Sequence, residues 1–192
     1  MVHSINYAKQ FAFIDQVYVS TDCKEIKVVA IKAGAKVIDR PEVLSGDFEP
    51  TVTALKHVIE GLDNTIETII LLQPTNPLRP NNLLSDAYTL YINKNYNSLF
   101  TVSRNYNKFG KIDKGLFKPY NYKIGQRSQD LEPLYFENGL LYITKVEHIL
   151  NHKIITEDAL PMEVNHPFAT IDIDTQDDFD YAEYLYNKHI NE

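Results

Sequence analysis

The feature that most limits the fold is Thr68-Ile69-Ile70-Leu71-Leu72-Gln73, a nearly uninterrupted apolar run. It is too short for a membrane span, and its β-branched content favours a strand over a helix. A strand apolar on both faces must be covered on both, as in the central parallel sheet of an α/β protein. The flanking sequence supplies covers. Val52, Leu55, Val58, Ile59 and Leu62 form a helical stripe after Pro50, a residue suited to a helix start. Ile26, Val29, Ala30 and Ala33 form another, stopped by Gly34. Gln16–Thr21, Lys36–Asp39, Asn97–Ser103, Asn138–Thr144 and Thr170–Ile173 read as further strands. Helices are expected from Ser4, as cap, to Phe11, over Asn82–Asn93, and over Gln176–Asn187. Strand and helix alternate at short range, which predicts an α/β domain with a mainly parallel sheet.

The alternation breaks at Arg104. Residues 104–137 read as a β-rich insertion or arm within a domain made of 1–103 and 138–192. Between Arg104 and Arg127 seven basic residues face one acid, so this stretch carries +6 and the rest of the chain −13, for a net −7. Tyr106, Phe109, Phe117, Tyr120 and Tyr122 are interleaved with the bases. Such a stretch suits an anionic small molecule, a dimer arm or a solvated face. The acidic remainder argues against nucleic acid and against an anionic membrane. A single cysteine, Cys23, excludes an intrachain disulfide and reads as an inert thiol. With no signal-like start and no apolar run near ~18 residues, the expected compartment is the cytoplasm.

Asp172-Ile173-Asp174 is the sharpest chemical signal. In extended chain the two carboxylates share a face ~7 Å apart. Hard oxygen donors so placed suit Mg²⁺, which takes one or two carboxylates together with substrate phosphates. The same residues also suit a helix start, with Thr175 or Asp174 as cap and Asp177 and Asp178 in the first turn. Gln73-Pro74-Thr75-Asn76-Pro77-Leu78-Arg79-Pro80 closes the apolar strand. Ligands of open α/β sheets sit beyond the carboxyl ends of strands. Gln73 there offers an amide and Arg79 a cationic fork, unless the segment is only a rigid turn. Ser20-Thr21-Asp22 fits a helix cap, and Arg40 a phosphate or base contact or a solvated loop. His148 and His152 have the spacing of a metal pair, but no glutamate follows His148. No glycine-rich phosphate loop is present.

Taken in order, these pieces resemble the acylneuraminate cytidylyltransferases, the CMP-sialic acid synthetases. The resemblance rests on Val19-Ser20-Thr21-Asp22 with Arg40-Pro41-Glu42-Val43-Leu44, and on Leu72 to Arg79, where Asn76 stands for the usual serine. It continues through Glu137-Asn138-Gly139-Leu140-Leu141-Tyr142-Ile143 and Ile171 to Thr175, and runs from about Val2 to Tyr186. It implies a Rossmann-like three-layer nucleotidyltransferase fold. It implies transfer of CMP from CTP to a sialic-acid-like nine-carbon 2-keto sugar acid, with Mg²⁺ as cofactor and pyrophosphate as product. It implies metal ligation by Asp172 and Asp174, and substrate contact by Gln73. Arg40 and Thr51 fall at the cytidine, and Asn138 and Tyr142 at the sugar. Lys108 or Lys111 would help hold the sugar carboxylate. Gln129 lies in the family's Arg-Gln segment, with Ser128 where the arginine usually stands and Arg127 one place earlier. The basic aromatic stretch corresponds to the family's dimerisation arm, so a homodimer is expected.

The family opens with a strand and an Ala-Arg-x-Gly-Ser-Lys loop that cradles the CTP phosphates. This chain begins at Met1-Val2-His3-Ser4-Ile5, which resembles the helix after that loop. The expectation is weak or no activity for the chain as it stands. Two alternatives follow: a truncated paralogue acting as an assembly subunit, or another nucleotide-sugar enzyme, such as a Kdo cytidylyltransferase or an Asp-x-Asp glycosyltransferase. The last would place its aspartate pair near mid-chain.

Overall fold

A computed structural model describes residues 1–62 and 66–189. The first part alternates as the apolar pattern requires: α1 (Val2–Ala8), β1 (Tyr18–Thr21), α2 (Lys24–Lys32), β2 (Lys36–Asp39), α3 (Thr51–Glu60), β3 (Thr68–Leu71) and α4 (Leu83–Lys94). The remainder holds β4 (Ser98–Asn105), β5 (Gly110–Asp113), β6 (Leu116–Pro119), β7 (Leu134–Lys145), α5 (Val146–Leu150), β8 (Leu160–Glu163) and α6 (Gln176–His189).

The α/β class holds, but the sheet is mixed. Strands β1 and β2 pair in parallel as a two-stranded unit, and a four-stranded sheet has the order β3-β7-β4-β8. Within it β7 runs antiparallel to both β3 and β4, while β8 runs parallel to β4. The apolar run forms β3 as expected, but among the described residues β3 pairs only with β7, at the end of that sheet. Hydrophobicity specifies burial, not the direction of the partner. Direction is set by the return from the arm, which brings the chain back as β7 alongside the strand that left.

The core is continuous beneath this sheet. Leu84, Leu99, Leu140, Leu141 and Ile143 are fully buried and pack with Tyr7, Leu83 and Tyr91. Phe13 stacks flat on Tyr88, ring centroids 4.2 Å apart, and closes one side. A second cluster, Leu78, Phe168, Ile171, Ala182 and Leu185, fixes α6 against the loop after β3.

Two local expectations are corrected, and one strand is new. Helix α1 ends at Ala8, and Ser4 lies inside it, its Oγ accepting from Arg79 Nη1 at 2.9 Å rather than capping. Thr170–Ile173 is not a strand: Pro167–Thr170 is a 3-10 turn, and the chain after it is extended without a ladder. Proline at the start of that turn sets its φ and lacks an N–H for a ladder. Strand β8, absent from the sequence reading, is short and contains Pro161, both of which weaken a strand signal.

Residues 104–137, expected as an insertion, carry a hairpin. Strands β5 and β6 pair antiparallel around Lys114-Gly115, both at positive φ (50° and 77°). That is the mirror-image turn that matches strand twist in two-residue loops. Strands β4 and β7 run into these residues from both sides, pairing Val102–Asn105 with Leu134–Glu137.

Candidate active site

The site is built around an interruption in the β4–β7 ladder. Phe100 pairs with Tyr142 and Val102 with Glu137, so Thr101 alone faces Asn138, Gly139, Leu140 and Leu141. Side chains fill the broken ladder. Thr101 Oγ1 donates to Asn138 Oδ1 at 2.6 Å and accepts from Leu141 N at 3.1 Å. Asn138 Nδ2 donates to Ser103 Oγ at 3.0 Å. Gly139 crosses the irregularity at φ +72°, where a side chain is strained. A Cβ there would meet Gln73 Oε1 at 2.6 Å and Asn76 Oδ1 at 2.7 Å. Glycine is what lets the loop after β3 lie directly on β7.

Arg79 clamps that loop. Its Nε donates to Leu140 O at 2.7 Å, Nη1 to Ser4 Oγ and Nη2 to Gln73 O at 3.0 Å. The side chain is buried, and burial pushes its pKa down to about 10. This corrects the sequence reading of Arg79 as a ligand-facing fork: three of its donors are taken by α1, the loop and β7. Its role is to position Gln73. Asn76 completes the clamp, donating from Nδ2 to Asn138 O at 3.2 Å and to Ile171 O.

Two open clefts meet beside this junction. The larger, about 690 Å³, is lined by Gln73, Asn76, Arg104 to Asn107, Phe136 to Gly139, Tyr142 and Ala169 to Asp172. The smaller, about 360 Å³, is lined by Pro50 to Val52 at the start of α3, Leu71, His152, Ile154 and Ile155. Gln73, Glu137 and Tyr142 belong to both. Tyr142 Oη donates to Glu137 at 2.6 Å, and burial, then this carboxylate, and finally Asp172 raise the phenol's pKa. The phenol stays protonated and holds Glu137 at the mouth between the clefts.

The fold thus gathers Gln73, Asn138, Tyr142 and Asp172 in one cleft and Thr51 in its neighbour. Asn138 lines its cleft with its amide already bonded to Thr101, Ser103 and Leu140 N. Asp172 and Asp174 both lie exposed while Ile171 is buried and Ile173 half-buried, so the expected alternation survives without a strand. Neither carboxylate has a protein partner among the described residues, and only Asp172 lines the cleft. Two uncommitted hard oxygen donors fit a magnesium ion that takes the rest of its shell from water and substrate phosphate. Among the described residues no group of three or more His, Cys, Asp or Glu is assembled for a metal. The helix-start reading of this segment is realised as well. Thr175 and Asp178 bond reciprocally as a capping pair, which draws the Asp178 carboxyl below its ordinary range.

Other expected residues lie apart from both clefts. Arg40 is 3.6 Å from Asp22 and donates to Ser45. Lys108 donates to Gln126 O and lies over Tyr122, Lys111 is on the exposed hairpin, and Arg127 is bonded to Asp130. Gln129 is in the 3-10 turn Ser128–Asp130. His148 Nε2 is 3.6 Å from Glu147, and His152 Nε2 is 3.2 Å from Lys56 Nζ. Glu137, Gly139, Arg104 and Tyr106 were not singled out from sequence as site residues. A glycine within a strand signals a bulge or close approach, so Gly139 had a readable sign.

The layered α/β domain that holds these clefts has the fold of solved nucleotidyltransferases. The solved CMP:2-keto-3-deoxy-manno-octonic acid synthetase complexed with CTP is similar to it, with a TM-score of 0.69 at 13% identity, over 97% of this chain and 87% of that one. A 4-diphosphocytidyl-2C-methyl-D-erythritol synthase from Anaerococcus prevotii gives 0.67 at 12% identity, over 97% and 86%.

The chain belongs to the Cytidylyltransferase family, whose family model matches residues 1–192. It is 29% identical to the N-acylneuraminate cytidylyltransferase of Streptococcus agalactiae serotype III (strain NEM316), over 92% of this chain but 44% of that protein. The chain therefore spans less than half of that relative. It is 29% identical to the CMP-N,N'-diacetyllegionaminic acid synthase of Legionella pneumophila, over 96% of this chain and 84% of that one. It is 28% identical to a pseudaminic acid cytidylyltransferase of Campylobacter jejuni, over 97% and 84%.

Proposed function

We propose that this protein transfers CMP from CTP to a sialic-acid-like nine-carbon 2-keto sugar acid. The anomeric oxygen, losing its proton, forms a bond to the α-phosphorus, and the bond from that phosphorus to pyrophosphate breaks. The observation that carries this reading is the junction of two clefts at Gln73, Glu137 and Tyr142 in a chain matched by the Cytidylyltransferase family. The names of the relatives supply the substrate class.

In this reading the smaller cleft, with Thr51, takes the nucleotide, and the larger takes the sugar acid. Gln73 touches both substrates where they meet. Mg²⁺, held by Asp172 with Asp174 beside it, would offset the charge on the phosphates. A homodimer through the inserted arm is supported by Ile112, Leu116, Phe117, Tyr120 and Ile124, all exposed on or beside the hairpin. The cytoplasm is the compartment proposed, with one cysteine and no described helix long and apolar enough to cross a membrane.

Pyrophosphate release with CTP, Mg²⁺ and, in turn, N-acetylneuraminate, legionaminate and pseudaminate tests the reading. Release that requires one of these acids supports it. No release with any acid, from a protein that is folded, refutes transfer by this chain and favours the truncated assembly subunit.

A further inference from the structure

The structure assigns Arg104 as the residue that binds the substrate's carboxylate, an assignment that deepens the sugar-acid reading and rests on it. Among the residues lining the larger cleft, Arg104 is the one Lys or Arg. Three of its neighbours in the basic stretch are spent elsewhere, and none of the other bases there lines the cleft. Lys118 is paired with Asp113, Arg127 with Asp130, and Lys108 is bonded to a carbonyl.

Arg104 is held but not neutralised. It lies in β4 opposite Tyr135. Its Nη2 donates to Leu131 O at 3.2 Å, and its guanidinium lies 5.3 Å from the centre of the Tyr106 ring. Among the described residues no carboxylate pairs with it, and Nε is buried without an acceptor. A guanidinium has five donors in a planar fork, and one here has an acceptor among the described residues. Groups left unsatisfied in this way are costly in a folded chain and call for a partner. A fork fixed by a carbonyl and an aromatic face is pre-organised for a planar anion. Neither of the cleft's carboxylates is bonded to it: Glu137 accepts from Tyr142, and Asp172 makes no ion pair among the described residues. The ligand must then bring its own negative charge, and an uncharged sugar leaves Arg104 unpaired.

The test is made on the unaltered chain by following the Arg104 Nε–H resonance, assigned by its loss in Arg104→Lys. Addition of N-acetylneuraminate should shift it, and the methyl ester of that acid should not. No shift with the acid, or an equal shift with the ester, overturns the assignment. A shift with CTP alone gives the fork to the nucleotide phosphates and also overturns it. CTP binding is titrated separately by calorimetry. CTP binding with Nε unmoved by the acid removes Arg104 while leaving cytidylyl transfer standing. An acid-specific shift without CTP binding keeps Arg104 and removes the transfer reading. In turnover, Arg104→Met should raise the KM for the sugar acid about ten- to hundredfold, the worth of a charged hydrogen bond, and leave the KM for CTP unchanged.

Discussion

Replacing Gly139 by alanine tests the site's construction at its tightest point. The new Cβ would sit 2.6 Å from Gln73 Oε1 and 2.7 Å from Asn76 Oδ1, so both amides must move. Holding alanine at φ +72° costs about 1–2 kcal/mol. Displacing Asn76 weakens its bonds to Asn138 O and Ile171 O, at about 1 kcal/mol each. The expected loss is about 3 kcal/mol, which leaves a protein of ordinary stability folded. With a urea m-value of about 2 kcal/mol/M, the midpoint should fall by about 1.5 M. Asn76→Ser removes one of the two obstructing amides. The Gly139→Ala, Asn76→Ser pair should therefore lose about 1 kcal/mol less than the sum of the single changes. Turnover by Gly139→Ala should fall, because Gln73 is displaced at the cleft junction. A midpoint shift under about 0.3 M, or strict additivity in the double variant, would show that the loop after β3 does not rest on this glycine.

Asp172→Asn should sharply reduce Mg²⁺-dependent turnover while changing stability by less than about 0.5 kcal/mol, since the side chain is exposed and unpaired; unchanged turnover at limiting Mg²⁺ removes Asp172 from the metal site. Tyr142→Phe leaves Glu137 without its hydrogen bond and should lower kcat/KM with the fold intact by circular dichroism; wild-type kinetics would dismiss the pair. The Asp178 carboxyl is drawn below its ordinary 3.8 by Thr175 and by the Thr175 and Asp174 amides, so its stabilisation is full above that value and is lost as pH falls through the lower, folded one. Asp178→Asn should flatten the acid limb of the urea midpoint against pH, and an unchanged limb would deny the cap this role. Ile112→Asp with Ile124→Asp should shift sedimentation from dimer to monomer, both side chains being well exposed on the arm; a dimer that persists places the interface elsewhere.

Much of the fold was legible because the signals are local. The stripe from Val52 to Leu62 made α3, and the run Thr68–Leu71 made β3. Ile171 and Ile173 turned inward and left Asp172 and Asp174 outward, as alternation requires. The capping pair of Thr175 and Asp178 realised the helix-start alternative with nothing but local chemistry.

What lay beyond the sequence is non-local. Arg79 reads as a ligand-facing cation on a turn, yet it is buried because Ser4, Gln73 O and Leu140 O converge on it from three separated segments. Arg104 reads as one base among seven, and only the cleft distinguishes it from those already paired. Apolar periodicity determined which elements most of this chain forms, because that depends on neighbours a few residues away, but not burial: Ile26 and Val29 of the α2 stripe stay exposed. Strand direction, the broken β4–β7 ladder and the choice among cations were decided by tertiary structure. Each depends on which distant donors and acceptors meet once water is excluded, and no spacing along the chain encodes that meeting.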